Sequence, residues 1–124
     1  MTDPHRPFTI EALTLDWPSP AELRFSGTLT TISAHTELEA FLRTVHGAIV
    51  DEKRAFFTAD VRGLHFVNSS VIRLFVAWIT WAERAGYRLS FLTDASTTWQ
   101  RVSFSALKAI APGTVDIIES KVRI

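Results

Sequence analysis

The chain has 124 residues, 47% of them hydrophobic and 21% charged, with 13 cationic and 13 acidic side chains and hence no net charge. That balance excludes a disordered chain and leaves no electrostatic footprint for nucleic acid or an anionic membrane. The absence of cysteine excludes disulfides and thiol chemistry, and the length suits one compact domain that can hold a core without staples.

Residues 1–7 carry two prolines and no periodic pattern, so a loose, disordered tail is expected there. They also lack the apolar core of a signal peptide. Phe8 to Leu15 alternates apolar and polar residues, which predicts a half-buried strand, and Glu22 to Leu29 alternates again after Pro18-Ser19-Pro20. The pair predicts an N-terminal β-hairpin. Ser33 or Thr36 can cap a helix over Thr36 to Asp51, whose Leu38, Phe41, Leu42, Val45, Ala48 and Ile49 recur at spacings of three and four. Ala55 to Val61 is apolar on both parities apart from Thr58 and Asp60, as expected of an interior strand. A strongly apolar helix then ends near Gly86, Arg88 to Thr93 forms a further strand, and Asp94 or Ser96 can cap a helix carrying Trp99, Val102, Ala106, Leu107 and Ile110. Pro112-Gly113 stops it, Val115 to Ile118 makes a last strand, and Glu119 to Ile124 reads either way. The order predicts a single α/β domain over residues 8–124, a mixed, mostly parallel five-stranded sheet with three or four helices.

Few patterns point to enzyme chemistry. There is no Gly-x-Ser-x-Gly elbow and no Gly-rich phosphate loop. His5, His35, His46 and His65 show no metal-ligand spacing, and surface or packing roles account for them. Asp60 and Asp94 lie near strand ends, where α/β sites form, and are the candidates for an acidic pair. Capping and solvation explain each equally well. The expectation is a protein without catalytic residues, cofactor or metal. The longest apolar stretch, Val71 to Ala82, contains Arg73 and is too short to span a bilayer, so a soluble, cytoplasmic protein is expected.

The chain is organised around Phe66-Val67-Asn68-Ser69-Ser70-Val71 and the helix that follows. Asn68, Ser69 and Ser70 all offer side-chain oxygens to the free N–H groups that open a helix, yet a cap needs only one of them. Two hydroxyls are left over at a helix N-terminus, a position favourable to negative charge, phosphate included. Within the helix, Val71, Phe75, Trp78, Ile79 and Ala82 can face a sheet, Arg73, Ala77, Thr80 and Arg84 lie opposite, and Leu74 and Trp81 fall on a flank. A neighbouring helix covers that flank, or else it is an exposed patch for a partner or for self-association as a homodimer, with Trp81 and Trp99 as anchors.

The element order and this central stretch resemble the STAS domain, the fold of anti-sigma-factor antagonists and of sulfate-transporter tails. The family pattern is an apolar strand, a Gly-Leu-like turn with an aromatic, and Asp-Ser-Ser-Gly opening a helix; here it reads Ala59-Asp60-Val61-Arg62-Gly63-Leu64-His65-Phe66-Val67-Asn68-Ser69-Ser70-Val71. The resemblance implies a non-enzymatic antagonist in a partner-switching circuit. Its partner would be an anti-sigma factor that is also a serine protein kinase, with no nucleic acid and no membrane involved. The second serine of the family pair accepts the phosphoryl group, a role that falls on Ser70, with Ser69 as the alternative. Partner contacts are expected from Asn68, Ser69, Ser70, Val71, Arg73, Leu74 and Trp81. Two positions depart from the pattern: Asn68 stands for the family's Asp, and Val71 for its Gly.

Overall fold

The computed structural model describes residues 7–29 and 35–120. Residues 1–6 of the tail expected over 1–7, a cap at Ser33 and the last four residues lie outside them. Six strands and three helices follow in the order β1 (Phe8–Ile10), β2 (Leu13–Ser19), β3 (Glu22–Leu29), α1 (His35–Asp51), β4 (Phe56–Val67), α2 (Ser69–Ala85), β5 (Arg88–Asp94), α3 (Thr98–Ile110) and β6 (Val115–Ser120). The sheet has six strands rather than five because the run expected as one strand, Phe8 to Leu15, folds back on itself. Glu11 takes a left-handed φ of 55°, and Ile10 pairs with Leu13 across the bend. Thr36 lies inside α1 and does not cap it.

The expected hairpin is present as β2 and β3, antiparallel, with Leu15 beside Phe25 and Asp16 beside Arg24. Gly27 closes it. It stands beside Leu13 with φ at 102°, and a Cβ there would run into the carbonyl of Ala12, which accepts the Thr28 N–H at 3.1 Å. Only glycine meets both demands at low cost.

The strands lie in chain order across the sheet, antiparallel from β1 to β3 and parallel from β3 to β6. Each parallel step is bridged by one helix. Right-handed crossovers between strands that advance in one direction put all the helices on one face. The packing follows this. Phe8 of β1 stacks on Phe41 of α1 at 4.6 Å, Phe57 of β4 meets Trp78 of α2 at 5.9 Å, and Phe91 of β5 meets Phe104 of α3 at 5.0 Å. Alternate residues of β4 and β5, among them Phe57, Ala59, Leu89 and Phe91, point into this layer and are buried. The other parity carries Arg24, Asp60, Ser90 and Asp116 on a face that none of the described helices covers.

Trp78 and Phe75 form the centre of the core. Phe75 reaches Phe25, Phe91 and Phe104, with ring centroids 5.5, 5.6 and 5.6 Å away, and Trp78 touches Phe25, Phe57 and Phe91. α2 ends as expected at Gly86, with φ at 88° and its N–H on the Ala82 carbonyl at 2.8 Å. Among the described residues, no helix is long and apolar enough to cross a membrane.

Candidate functional site

Residues Arg62 to Val67 are not a turn but the second half of β4. Parallel pairing with β3 carries the strand on, Gly27 beside Leu64 and Thr28 beside Phe66. The register shifts on both sides of Gly63, where a Cβ would crowd the Phe25 carbonyl and the Ser26 side chain at 3.0 Å. Only Asn68 then separates β4 from α2. Its backbone is extended (φ −82°, ψ 174°) and its side-chain oxygen accepts the Val71 N–H at 3.2 Å. Such a cap contributes about 1 kcal/mol. Because Asn68 does the capping, the hydroxyls of Ser69 and Ser70 are not needed for it. Ser69 is exposed and Ser70 half-buried.

The segment that delivers these residues is clamped by the first turn of α3. The Trp99 indole N–H donates to the His65 carbonyl at 2.9 Å. Gln100, fully buried, donates from its amide nitrogen to the carbonyls of Val61 at 2.8 Å and Leu64 at 3.0 Å, while its oxygen accepts the Asp94 N–H at 2.9 Å. One side chain thus satisfies three backbone groups freed by the irregular end of β4 and the end of β5. Sequence reasoning passed over it, although its spacing of four and seven residues from Phe104 and Leu107 puts it on the buried face of α3. Phe66 and His65 are left exposed beside the serines.

Other expected contacts are corrected by packing. The side chains of Val71 and Leu74 are buried in the core, so neither can touch a docked partner. Trp81 is half-covered between α1 and α2. The Arg43 guanidinium lies over its ring at 4.3 Å and the His46 ring is 5.7 Å away. The flank left over on α2 is therefore filled by α1, and no exposed Leu74–Trp81 patch remains for a partner or a homodimer. Arg73, one turn beyond the serines, is exposed. Trp99 is half-buried and hydrogen-bonded, a positioning residue rather than an open anchor.

The acidic candidates are each engaged in the scaffold. Asp60 is 2% exposed, on the uncovered sheet face, with Arg62 at 2.9 Å and Arg24 at 3.7 Å. Burial pushes its carboxyl up, but the Arg62 side chain and N–H, with the charges of Arg62 and Arg24, outweigh burial and hold it below the usual carboxylate range. Asp94 accepts the N–H and hydroxyl of Ser96 at 3.0 and 2.7 Å and the Thr97 hydroxyl at 2.8 Å. It organises the turn into α3, whose N-cap is Thr97 rather than Asp94 or Ser96. Among the described residues, no cluster of three or more His, Asp or Glu side chains could hold a metal ion.

No known family pattern matches the sequence, and no curated protein matches it significantly. Among solved structures, it is similar to the anti-sigma factor antagonist SpoIIAA in its unphosphorylated form. The match has a TM-score of 0.57 at 17% identity and covers 89% of this chain and 90% of that one. The chain therefore has a STAS-like α/β fold, with the Asn68-Ser69-Ser70 start of α2 placed directly at the end of a central strand.

Proposed function

We propose that this protein is an anti-sigma-factor-antagonist-like regulator that works by binding and not by catalysis. Its partner is an anti-sigma factor with serine kinase activity, docked against Asn68, Ser69, Ser70 and Arg73 in the cytoplasm. Phosphate on Ser70, or alternatively on Ser69, sets whether the two stay together. The observation that carries this reading is a pair of hydroxyls that opens α2 without being needed as its cap, on a STAS-like fold. A phosphoryl group there adds about −1.5 to −2 charges. The helix dipole tolerates that charge, so the domain stays folded, whereas a partner packed on the same edge must accommodate it.

The test is incubation with a cognate kinase and ATP, followed by mass spectrometry and a binding assay. Phosphate on Ser70 or Ser69, with binding weakened at least tenfold by Ser70→Asp, is the expected result. An unmodified chain whose binding is indifferent to Ser70→Asp rejects the switch. A second reading, a constitutive STAS-type scaffold, draws on the half-burial of Ser70 beside the buried Val71 and on the neutral Asn68. Capture of one and the same partner by wild type and Ser70→Asp selects it.

A further inference from the structure

The far edge of the molecule is built differently from the serine edge. Among the described residues, β6 is the last strand of the sheet and pairs only with β5. The Leu89 N–H bonds the Thr114 carbonyl and the Ala95 N–H bonds the Ser120 carbonyl. In a parallel ladder this alternation turns the N–H and C=O of Val115, Ile117 and Glu119 away from β5. Val115 is provided for, its N–H on the Ala111 carbonyl and its carbonyl on the Lys108 ammonium at 2.8 Å. Ile117 and Glu119 present two donors and two acceptors with no partner among the described residues.

Beside this open edge runs the outer face of α3. It carries Val102, Ser105, Ala106, Ala109 and Ile110, all exposed, with Val102 at 67% and Ile110 at 62%. Two hollows that share Ser105 and Glu119 lie between the two elements, one lined also by Lys108, Asp116 and Ile117, the other by Thr98, Arg101 and Val102. On the uncovered sheet face, Leu92 and Ile118 stand side by side in one row, which ends at Ile118, 48% exposed, on the free edge. A bare edge strand of this kind is a template for another strand unless it is blocked.

We propose that this edge is the interface between two copies of the chain, joined β6 to β6, antiparallel, about a two-fold axis at Ile118. Several features fit a second copy. With Ile118 on the axis, Ile117 falls opposite Glu119 of the other copy, and the free groups of both residues form two reciprocal hydrogen-bonded pairs. Ile118 meets its own equivalent in the close, non-hydrogen-bonded position, so the apolar row continues from Leu92 to Leu92 across the join. Charge also matches. In this register Glu119, 3.9 Å from Arg101 in its own copy, lies diagonal to Val115 of the other copy, whose carbonyl holds the Lys108 ammonium, itself 3.8 Å from Asp116. The apolar faces of the two α3 helices are brought together above the shared sheet, and Ser105, Ala106 and Ala109 are small enough for close approach. The Ser69–Ser70 edge, at the start of α2, stays open in the pair.

The test uses the absence of native cysteine. Ile118→Cys puts two thiols on the axis, within the separation of about 4.5 Å between Cα atoms that a disulfide spans. Mild oxidation should convert most of it to a covalent dimer. Val50→Cys, exposed on α1 away from this edge, should stay monomeric. By sedimentation equilibrium the wild-type chain should show a monomer–dimer equilibrium, and Ile118→Lys and Val102→Lys should each raise the dissociation constant at least tenfold while far-UV circular dichroism is unchanged. A wild-type chain that is monomeric up to on the order of 1 mM, or equal cross-linking of the two cysteine variants, overturns the proposal.

Discussion

Gln100 shows how much of the serine edge rests on one side chain away from it. Its amide saturates the carbonyls of Val61 and Leu64 and the N–H of Asp94, all at 3.0 Å or less. Gln100→Leu keeps the volume and removes every partner. Leaving buried backbone groups unpaired costs about 1–3 kcal/mol each where water cannot reach them. We expect a loss of about 3 kcal/mol in urea unfolding. Amide exchange should be faster at Leu64 to Asn68 than in α1, because the clamp on the end of β4 is lost. A cap somewhere in Asn68-Ser69-Ser70, by contrast, was legible from the neighbouring residues alone, and the structure selects Asn68. A cap is a local device, a side-chain oxygen three residues before the N–H it accepts, and no distant part of the fold has to be known to foresee it. Two of the groups Gln100 acts on, the carbonyls of Val61 and Leu64, are 39 and 36 residues away in sequence, so its helical phase gave the one hint of burial, and those two partners were beyond any local pattern.

Between elements, the contact of α1 with α2 carries a titratable link. Trp78 donates its indole N–H to the Tyr87 hydroxyl at 3.1 Å, and the same hydroxyl is hydrogen-bonded to Nδ1 of His46 at 2.8 Å. Burial pushes the Tyr87 phenol up to about 12, against the opposing effect of the Trp78 donor, so this hydroxyl keeps its proton at ordinary pH. Burial first, and then the Arg43 charge, lower the pKa of His46 below its ordinary 6.5. A group whose pKa is depressed by folding binds protons more readily when unfolded. The stability it supports is therefore present above about 6.5 and declines as pH falls below that value. Unfolding measured from about pH 7.5 to 5.5 should show this decline in the wild type. The slope should be smaller in His46→Gln, whose neutral amide does not titrate. The same interface settles the fate of Leu74 and Trp81. Helical spacing showed that they exceed one apolar stripe, but only the approach of α1 decides that they are covered. Likewise, β4 runs on to Val67 because β3 lies alongside to pair with it, and nothing within Arg62 to Val67 announces a strand.

At the scale of the whole molecule, one aromatic cluster joins the sheet to α2 and α3. Trp78, fully buried, touches rings from β3, β4 and β5. Trp78→Ala should cost about 3–5 kcal/mol through the cavity it leaves. Domains of this kind are stable by only about 5–15 kcal/mol, so the variant should lose a large part of its stability. A drop of well over 10 °C in thermal midpoint by circular dichroism is expected, with Trp78→Phe intermediate. A midpoint unchanged by Trp78→Ala would show that the core is not centred there. What the sequence by itself determined is what depends on neighbours a few residues apart: the alternation of strands and helices, a cap within Asn68-Ser69-Ser70, the left-handed stop at Gly86 and the buried stripes of α1 and α2. What only the tertiary structure decided is what depends on groups far apart in the chain. That includes the fold-back of β1, the length of β4, the burial of Leu74, the binding of Asp60 between two arginines and the bare edge of β6. The reason is physical: helical and strand periods are set by backbone geometry within one segment, whereas burial and pairing are set by whatever surface another segment brings alongside.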